Sequence, residues 1–265
     1  MPQHAQLVSN ILAGHKGLVV GIANEHSIAY GCARILREIG AELAVTWPND
    51  KARPYVEPLA RKLDATITMP LDVEQLGQME AVFAAIQEEW GRLDFALHSI
   101  AFAPKQHLHG RGVESSREGF ARAMDISCHS FMRMARLAGP LMDRGGSLVT
   151  MSYLGADEVV QRYGVMGSVK AALEASVRHL AVELGPRAIR VNAISPGTPG
   201  PIETRAASGI PEFDRQMAEA RERAPLRQPV ELEDVGTFCA FLVSDAARVI
   251  TGDTHYVDGG FHILA

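Results

Sequence analysis

The chain has 265 residues, of which 47% are hydrophobic and 22% charged, and its net charge is −5. This length and composition support one large core, so we expect a single domain covering 1–265. Charges of both signs are spread along the chain, and no apolar run reaches the ~18 residues that span a bilayer, which argues against nucleic-acid-binding and membrane-spanning proteins. We expect a cytoplasmic protein that acts on small molecules.

Seven continuous apolar runs have the pattern of buried parallel strands. They cover residues 18–23, 42–47, 65–70, 93–100, 146–152, 189–195 and 254–260. Helical stretches lie between or after them at 27–39, 51–63, 74–90, 114–142, 161–184, 211–223 and 231–243. This alternation predicts an α/β fold with a doubly wound parallel sheet of about seven strands and helices on both faces. Ligands of such sheets bind at the carboxyl ends of the strands.

The turn after the first strand lacks the Gly-x-Gly-x-x-Gly sequence typical of dinucleotide-binding proteins. Instead, Gly21 and Gly31 flank a polar insert. Ser27 stands at the predicted N-cap of the first helix, where its hydroxyl and the following amides are suited to bind phosphate. A serine that only caps the helix would look the same in the sequence. The residues of this turn alone therefore leave both interpretations open.

Several short motifs occur in order along nearly the whole chain. They are GIANEHSIAYG (21–31), HSIAFAP (98–104), SYLGA (152–156), YGVMGSVKAALEASVR (163–178), RVNAIS (190–195), TRAASGI (204–210) and VDGG (257–260). Together they resemble the bacterial enoyl-acyl carrier protein reductases, which are NADH-dependent enzymes of the short-chain dehydrogenase/reductase superfamily. The resemblance implies a single-domain Rossmann-like fold. It also implies that the Gly-x5-Ser-Ile-Ala-x-Gly turn replaces the glycine-rich sequence and binds the cofactor.

The resemblance assigns cofactor contacts to the ends of several strands. In chain order, the matching residues are Gly21, Ser27 and Ile28 around the pyrophosphate, Asp72 and Val73 at the adenine, Ser99 and Ala101 along the central groove, and Ile202 and Thr204 near the nicotinamide.

The residues after the second strand bear on the choice between NADH and NADPH. Trp47 and the following Pro-Asn-Asp occupy the place where a basic residue would bind a 2′-phosphate. We therefore expect NADH, with Trp47 among the residues that contact it. Lys51 and Arg53 lie slightly further along the chain and keep NADPH as the less favoured alternative.

Tyr163 and Lys170 form the candidate catalytic pair. They are seven residues apart on the predicted helix 161–184, which is about two turns and places both side chains on one face, ~10 Å apart along the axis. Ordinary short-chain dehydrogenases have a tyrosine and a lysine four residues apart, but residue 167 is glycine. The spacing matches the Tyr-x6-Lys pattern of the enoyl reductases, in which Tyr153 is the second tyrosine.

The chemistry of enoyl reduction gives these side chains distinct roles. Hydride delivery to the β-carbon of a 2-enoyl thioester places negative charge on the thioester oxygen, and the Tyr163 hydroxyl is expected to donate a hydrogen bond to it. Lys170 is expected to hold the nicotinamide ribose hydroxyls. Tyr153 is expected to position the substrate or assist at the carbonyl. The α-carbon proton can come through Tyr163 or from a water molecule, and the sequence leaves both open.

A proline- and glycine-rich loop at 195–210 is about three residues longer than is usual in the family. We expect the region of about 195–224 to form a lid over the substrate. The insertion can change the preferred acyl length, or it can be a surface bulge without effect. The residues expected to contact the substrate are Ala103, Tyr153, Tyr163, Met166 and Phe213.

No role in the predicted reaction is assigned to the cysteines or to a His-x-His pair. The three cysteines, which are Cys32, Cys128 and Cys239, lack metal or redox spacing and are expected to be buried thiols. His107 and His109 have no third ligand close in sequence, so we expect no metal site.

The leading prediction is NADH-dependent reduction of trans-2-enoyl groups on acyl carrier protein in fatty-acid elongation. The alternatives are an enoyl or carbonyl reductase of a specialised pathway and a non-catalytic dinucleotide-binding protein of the same fold. The resemblance implies a homotetramer. Acyl carrier protein is acidic, and its expected docking site is a basic patch formed by Arg205, Arg215, Arg221 and Arg223. We expect neither a nucleic acid nor a membrane as a partner.

Overall fold

Seven strands build the central sheet in the part of this protein that the structure describes. A computed structural model describes residues 10–161, 163–197 and 221–264. The strands are β1 (Lys16–Val20), β2 (Glu42–Trp47), β3 (Ile67–Pro70), β4 (Phe95–His98), β5 (Gly146–Met151), β6 (Ile189–Pro196) and β7 (Thr254–Val257). Their order in the sheet is β3-β2-β1-β4-β5-β6-β7, and every neighbouring pair is parallel. The predicted doubly wound sheet is confirmed, and the direction of winding reverses between β1 and β4.

Helices cover both faces of the sheet. They are α1 (Ile28–Glu38), α2 (Arg53–Lys62), α3 (Gln78–Trp90), α4 (Lys105–His109), α5 (Arg117–Met124), α6 (Ser130–Ala138), α7 (Met166–Leu184) and α8 (Leu232–Val243). Buried residues of α1, α2 and α8 form one hydrophobic cluster with the strands. Those of α3, α5, α6 and α7 form the other. Each face of the sheet therefore has its own core.

The continuous apolar runs follow from this two-sided burial. In β1, Leu18 and Val20 pack into the cluster beneath α3, α6 and α7, while Val19 between them packs into the cluster beneath α1 and α8. All three are at most 2% exposed. Since successive side chains of a strand point to opposite faces, a strand covered on both faces needs apolar residues at every position.

The single helix predicted over 114–142 is wrong, because this segment contains several turns of different geometry. The Ser116 hydroxyl accepts a hydrogen bond from Gly119 N at 3.1 Å and starts α5 at the following residue. A π-helical turn at Asp125–His129 then separates α5 from α6. Pro140 lies in a 3-10 turn after α6, where its missing N–H and fixed φ end the α-helix.

Other element boundaries were predicted too long, and left-handed glycines account for several of them. Helix α3 begins after Gly77, whose φ is +84°, and not at residue 74. Strand β7 ends before Gly259 and Gly260, which have φ of +67° and +87°. Glycine adopts this left-handed backbone conformation without the steric cost that it has for other residues.

Of the predicted helix 211–223, residues 211–220 lie outside the described part, and residues 221–223 are helical.

The three cysteines are free thiols buried in the protein, as predicted. Over the three described ranges, the structure contains no helix with both the length and the apolar character needed to cross a bilayer.

Candidate cofactor and catalytic site

The turn after β1 meets the end of β4 at the point where the winding of the sheet reverses. Gly21 has a φ of +111°, and a Cβ atom on it would lie 2.1 Å from the carbonyl oxygen of Ser99. Ser99 N donates to Val20 O at 2.9 Å, which continues the pairing of the two strands. Two of the predicted cofactor residues, Gly21 and Ser99, are therefore in contact. The missing Cβ of Gly21 leaves the backbone accessible at this crevice.

Ser27 is the N-cap residue of α1, as predicted, but its side chain does not cap the helix. The hydroxyl instead accepts hydrogen bonds from Ala23 N and Asn24 N, both at 3.0 Å, and donates to Asn24 Oδ1 at 3.2 Å. It thereby fixes the turn that leads into α1. The first N–H groups of an α-helix have no acceptor within the helix, and they carry the positive end of its dipole. This arrangement at Ile28 suits a phosphate group.

Replacement of Gly21 by alanine is expected to impair both folding and cofactor binding. An L-residue at this φ costs about 1–3 kcal/mol, and its Cβ would force the Ser99 backbone away. We expect a lower melting temperature and a rise of at least about tenfold in the Kd for NADH, which corresponds to ~1.4 kcal/mol. Thermal unfolding and fluorescence titration measure these two quantities.

Gly185→Ala is the matched control for this prediction. Gly185 has a helical φ of −54°, and a Cβ atom there would meet no atom within 4 Å. The control variant should bind NADH as the wild type does and melt at the same temperature or slightly higher. A Gly21→Ala protein that behaves like the control would show that the crevice does not require glycine.

The segment after β3, assigned to the adenine, is anchored by two helices. Asp72 N donates to the Gln78 side chain of α3 at 2.7 Å, and Asp72 Oδ1 accepts from Glu74 N at 3.0 Å. Arg133 of α6 donates to Val73 O at 2.9 Å. Asp72 is half-buried and Val73 is buried. The segment is thus held in place at the carboxyl end of β3, the strand at the edge of the sheet.

Trp47, assigned to the cofactor as well, is the last residue of β2 and is only 7% exposed. The Arg53 guanidinium lies over its ring at 5.4 Å from the ring centroid. Arg53 also forms an ion pair with Glu57 at 2.6 Å. This carboxylate offsets the charge that would favour a 2′-phosphate, which agrees with the prediction of NADH.

Tyr153 and Tyr163 lie side by side beyond the end of β5. Their ring centroids are 4.9 Å apart and the ring planes are inclined by 59°. A Cβ atom on Gly155 would lie 2.5 Å from the Tyr163 ring, so the glycine makes room for this pair. Burial raises the pKa of the Tyr163 hydroxyl, and the neighbouring Tyr153 raises it further. Tyr163 therefore keeps its proton at neutral pH and remains a hydrogen-bond donor.

The prediction that Tyr163 and Lys170 share one helical face is wrong. The helix does not start at residue 161, because α7 begins at Met166 and Tyr163 lies in the turn before it. Gly164 has a φ of +50°, which no residue of a right-handed helix adopts, and a Cβ on it would lie 2.2 Å from His107 O. Val165 N donates to the same oxygen at 3.3 Å. Contact with α4 thus places Tyr163.

Lys170 lies in the second turn of α7 and is 3% exposed. Its ammonium donates a hydrogen bond of 2.6 Å to the carbonyl oxygen of Met151, the last residue of β5. Burial lowers the pKa of Lys170 to about 8, although Cys128 and Glu174 oppose the shift. Since Tyr153 follows Met151 by two residues, the structure brings the lysine and the tyrosine pair to the end of the same strand.

The remaining predicted residues have different surroundings. Ala101 is exposed, and Ala103 is half-buried against the core. Met166 is 3% exposed and packs within the core cluster. Ile202, Thr204 and Phe213 lie outside the described residues, as do most of the longer loop and two of the four arginines assigned to the basic patch, Arg205 and Arg215. The other two, Arg221 and Arg223, are exposed.

Sequence reasoning did not single out a buried histidine beneath the site. His98 ends β4, and its ring nitrogens lie 3.1 Å from Thr150 Oγ1 and 2.7 Å from Ser130 Oγ. Burial and the charge of Lys170 lower the pKa of His98 to about 3, so the ring is neutral. It joins β4, β5 and α6 below the crevice. The available signal was its place in the motif HSIAFAP, directly before Ser99.

Comparison with known proteins identifies the family. The sequence model described as Enoyl-(Acyl carrier protein) reductase matches residues 21–262. The chain is 48% identical to enoyl-[acyl-carrier-protein] reductase [NADH] 1 of Rhizobium meliloti, over 97% of this chain and 93% of the relative. It is 45% identical to the enoyl-[acyl-carrier-protein] reductase [NADH] FabI of Salmonella typhimurium, over 96% of both.

Solved structures agree with these relatives. The enoyl-(acyl-carrier-protein) reductase of Anaplasma phagocytophilum in complex with NAD superimposes with a TM-score of 0.91 at 43% identity, covering 97% of both chains. The Bacillus cereus enoyl-acyl carrier protein reductase with NADP+ and indole naphthyridinone gives a TM-score of 0.93 at 43% identity, over 97% of this chain and 99% of that one. The predicted resemblance and fold are confirmed. The chain belongs to the enoyl-(acyl carrier protein) reductase family.

Proposed function

We propose that this chain reduces the trans-2 double bond of enoyl-acyl carrier protein thioesters with NADH in fatty-acid elongation, using Tyr163 as the donor to the developing oxyanion. The main support is the contact between Tyr153 and Tyr163, together with the buried Lys170, whose ammonium donates to Met151 O at the end of β5. The names of the relatives, which are NADH-dependent enoyl reductases, supply the reaction.

The crevice fits a dinucleotide. The missing Cβ of Gly21 gives close backbone access, and the N-terminus of α1 faces the same edge of the sheet. NADH supplies the hydride when it is bound. In chain order, the residues that would hold it are Gly21, Ser27, Ile28, Trp47, Asp72, Val73, Ser99, Ala101 and Lys170, followed by Ile202 and Thr204 in the part of the chain that is not described.

The tyrosine pair stabilises the charge that reduction creates. Tyr163 donates its hydroxyl hydrogen bond to the thioester oxygen as negative charge develops there, and its raised pKa keeps the donor protonated. Tyr153 lies against Tyr163 and positions the substrate next to it. Lys170 is held by Met151 O, and its other N–H groups bind the ribose hydroxyls and fix the cofactor.

A reductase assay with two substrate classes tests this function. Purified protein is mixed with NADH and a crotonyl or longer 2-enoyl thioester, and the absorbance of the reduced nicotinamide is followed. We expect turnover with enoyl thioesters and none with 3-oxoacyl thioesters. Turnover of 3-oxoacyl substrates alone would identify a ketoreductase instead. Binding of NADH without any turnover would identify a non-catalytic protein of this fold.

The proposal extends to the assembly and its surroundings. We place the enzyme in the cytoplasm, as a single-domain protein with a substrate lid at about 195–224, where Phe213 joins Ala103 and Met166 at the acyl chain. A homotetramer is supported by exposed apolar side chains on three helices: Phe120 of α5 is 38% exposed, Met132 of α6 is 40% exposed and Val182 of α7 is 78% exposed. Light scattering would then give four times the chain mass of 28.7 kDa.

A further inference from the structure

Two successive turns of α7 hold two successive residues at the end of β5. Lys170 donates to Met151 O at 2.6 Å, and four residues later Glu174 accepts a hydrogen bond from the Ser152 hydroxyl. One helical turn separates the two side chains on α7. Tyr153 directly follows Ser152 along the chain. The helix therefore fixes both the position and the direction of the segment from which the tyrosine extends.

Glu174 occupies an unusual environment for a carboxyl group. It is 6% exposed, and Ser152 is 4% exposed. Burial raises the pKa of Glu174, while hydrogen bonds from Ser152 and Thr254 oppose this rise. A buried carboxyl group is costly unless its hydrogen bonds are satisfied, and an apolar residue would fill the same space at lower cost. The benefit of a carboxyl group here lies in the geometry that its hydrogen bonds impose.

The hydrogen bond between Ser152 and Glu174 joins two elements of the fold. Ser152 follows β5, and Glu174 belongs to α7. Ser152 N also donates to Ile194 O of β6 at 2.7 Å. With both its backbone N–H and its hydroxyl engaged, Ser152 has little freedom to rotate. The backbone of Tyr153, which follows Ser152, is restricted as a consequence.

We propose that Glu174 is a positioning residue, which through the Ser152 hydroxyl sets the placement of Tyr153 and, by the contact between the two rings, that of Tyr163. This inference rests on the proposed function. The two ring centroids are only 4.9 Å apart, so a shift of Tyr153 changes the contact that orients the oxyanion donor. Displacement of a catalytic group by about 1 Å can cost ~10²-fold in rate.

Kinetics of five variants test the proposal. Glu174→Ala and Ser152→Ala should each lower kcat for enoyl reduction by about 10–100-fold and change the KM for NADH by less than about threefold. The double variant should be no worse than either single variant, because both remove the same hydrogen bond. Glu174→Gln should retain kcat within about threefold, since its amide oxygen accepts from the same hydroxyl. Glu183→Ala, on an exposed position of the same helix, should match the wild type.

A second measurement separates this proposal from the proposed function. Incorporated 3-fluorotyrosine gives ¹⁹F NMR resonances for Tyr153 and Tyr163, which the Tyr→Phe variants assign. These resonances should shift in Ser152→Ala and Glu174→Ala but stay unchanged in Glu174→Gln and Glu183→Ala. If the wild type showed no enoyl turnover but the variants still showed these resonance shifts, only the proposed function would be wrong.

Two results would overturn the positioning role. One is a wild-type kcat in Ser152→Ala, the smallest change and the one least disturbing to the fold. The other is a Glu174→Gln variant as impaired as Glu174→Ala, since that pattern would tie the effect to the charge. Unchanged tyrosine resonances in Ser152→Ala would exclude the proposed route through the ring pair as well.

Discussion

Tyr163→Phe should lower kcat for enoyl-thioester reduction by about 10²–10³-fold, and it should change the Kd for NADH by less than about threefold. The variant keeps the ring, its contact with Tyr153 and the space beside Gly155, and removes only the hydroxyl. The lost hydrogen bond acts on charge that develops in the transition state, so the effect falls on kcat. Single-turnover kinetics and fluorescence titration measure the two quantities.

The pH profile and a matched variant sharpen this test. Because the pKa of Tyr163 is raised by burial, its deprotonation should not produce a fall in kcat between pH 7 and 9. Tyr55→Phe removes a hydroxyl from a side chain that is 64% exposed on α2, and it should leave kcat unchanged. If Tyr163→Phe turned over substrate at the wild-type rate, another group or a water molecule would have to supply the donor.

Most of the fold could be predicted from the sequence because two-sided burial leaves a strong local signal. β2, covered on both faces, was predicted with its observed bounds, Glu42–Trp47. Strands beside the switch in winding are shorter in the structure than in the prediction. An example is β4, which was predicted over 93–100 and covers Phe95–His98. An apolar run continues into residues that pack on the core after the strand has ended, so hydrophobicity alone does not mark the boundary.

The residue types of the site could be predicted from the sequence, but their local geometry could not. The spacing of Tyr163 and Lys170 suggested one continuous helix, since alanine, leucine and valine are the commonest residues from 166 to 184. The deciding residue is Gly164, whose left-handed φ and close approach to His107 O depend on α4, a helix distant in sequence. The short helix α4 itself was not predicted, because KQHLH is too short for a periodic pattern.

Partners that are far apart in sequence account for the residues that were missed. His98 contacts Ser130 and Thr150, and Glu174 contacts Ser152, at separations of 22 to 52 residues. Each of these side chains alone looks like an ordinary polar residue at the border of a strand or helix. Only the packing of α6 and α7 against β4 and β5 reveals that they are buried and paired.

Lys170→Met should raise the Kd for NADH by about 10–100-fold, because it removes a charged donor from the proposed ribose contacts at a cost of about 1.5–3 kcal/mol. Methionine is unbranched and adaptable and fills most of the same space, so a cavity should not dominate the result. Lys62→Met, at an exposed position on α2, is the matched control and should leave the Kd unchanged. A Lys170→Met protein with wild-type affinity would contradict the proposed contact.

The stability of the same variant relative to the wild type should depend on pH in the absence of cofactor. Folding lowers the pKa of Lys170 from 10.5 to about 8, so between these values the unfolded chain binds more protons than the folded protein. The free energy of unfolding of the wild type therefore rises with pH across this window, by up to about 3 kcal/mol from this group. Lys170→Met lacks this rise. The variant should therefore be favoured in stability over the wild type below pH 8, and this advantage should disappear towards pH 10. Denaturant unfolding of both proteins at matched pH values measures the difference, and parallel stability curves would show that Lys170 is not buried as a charged group.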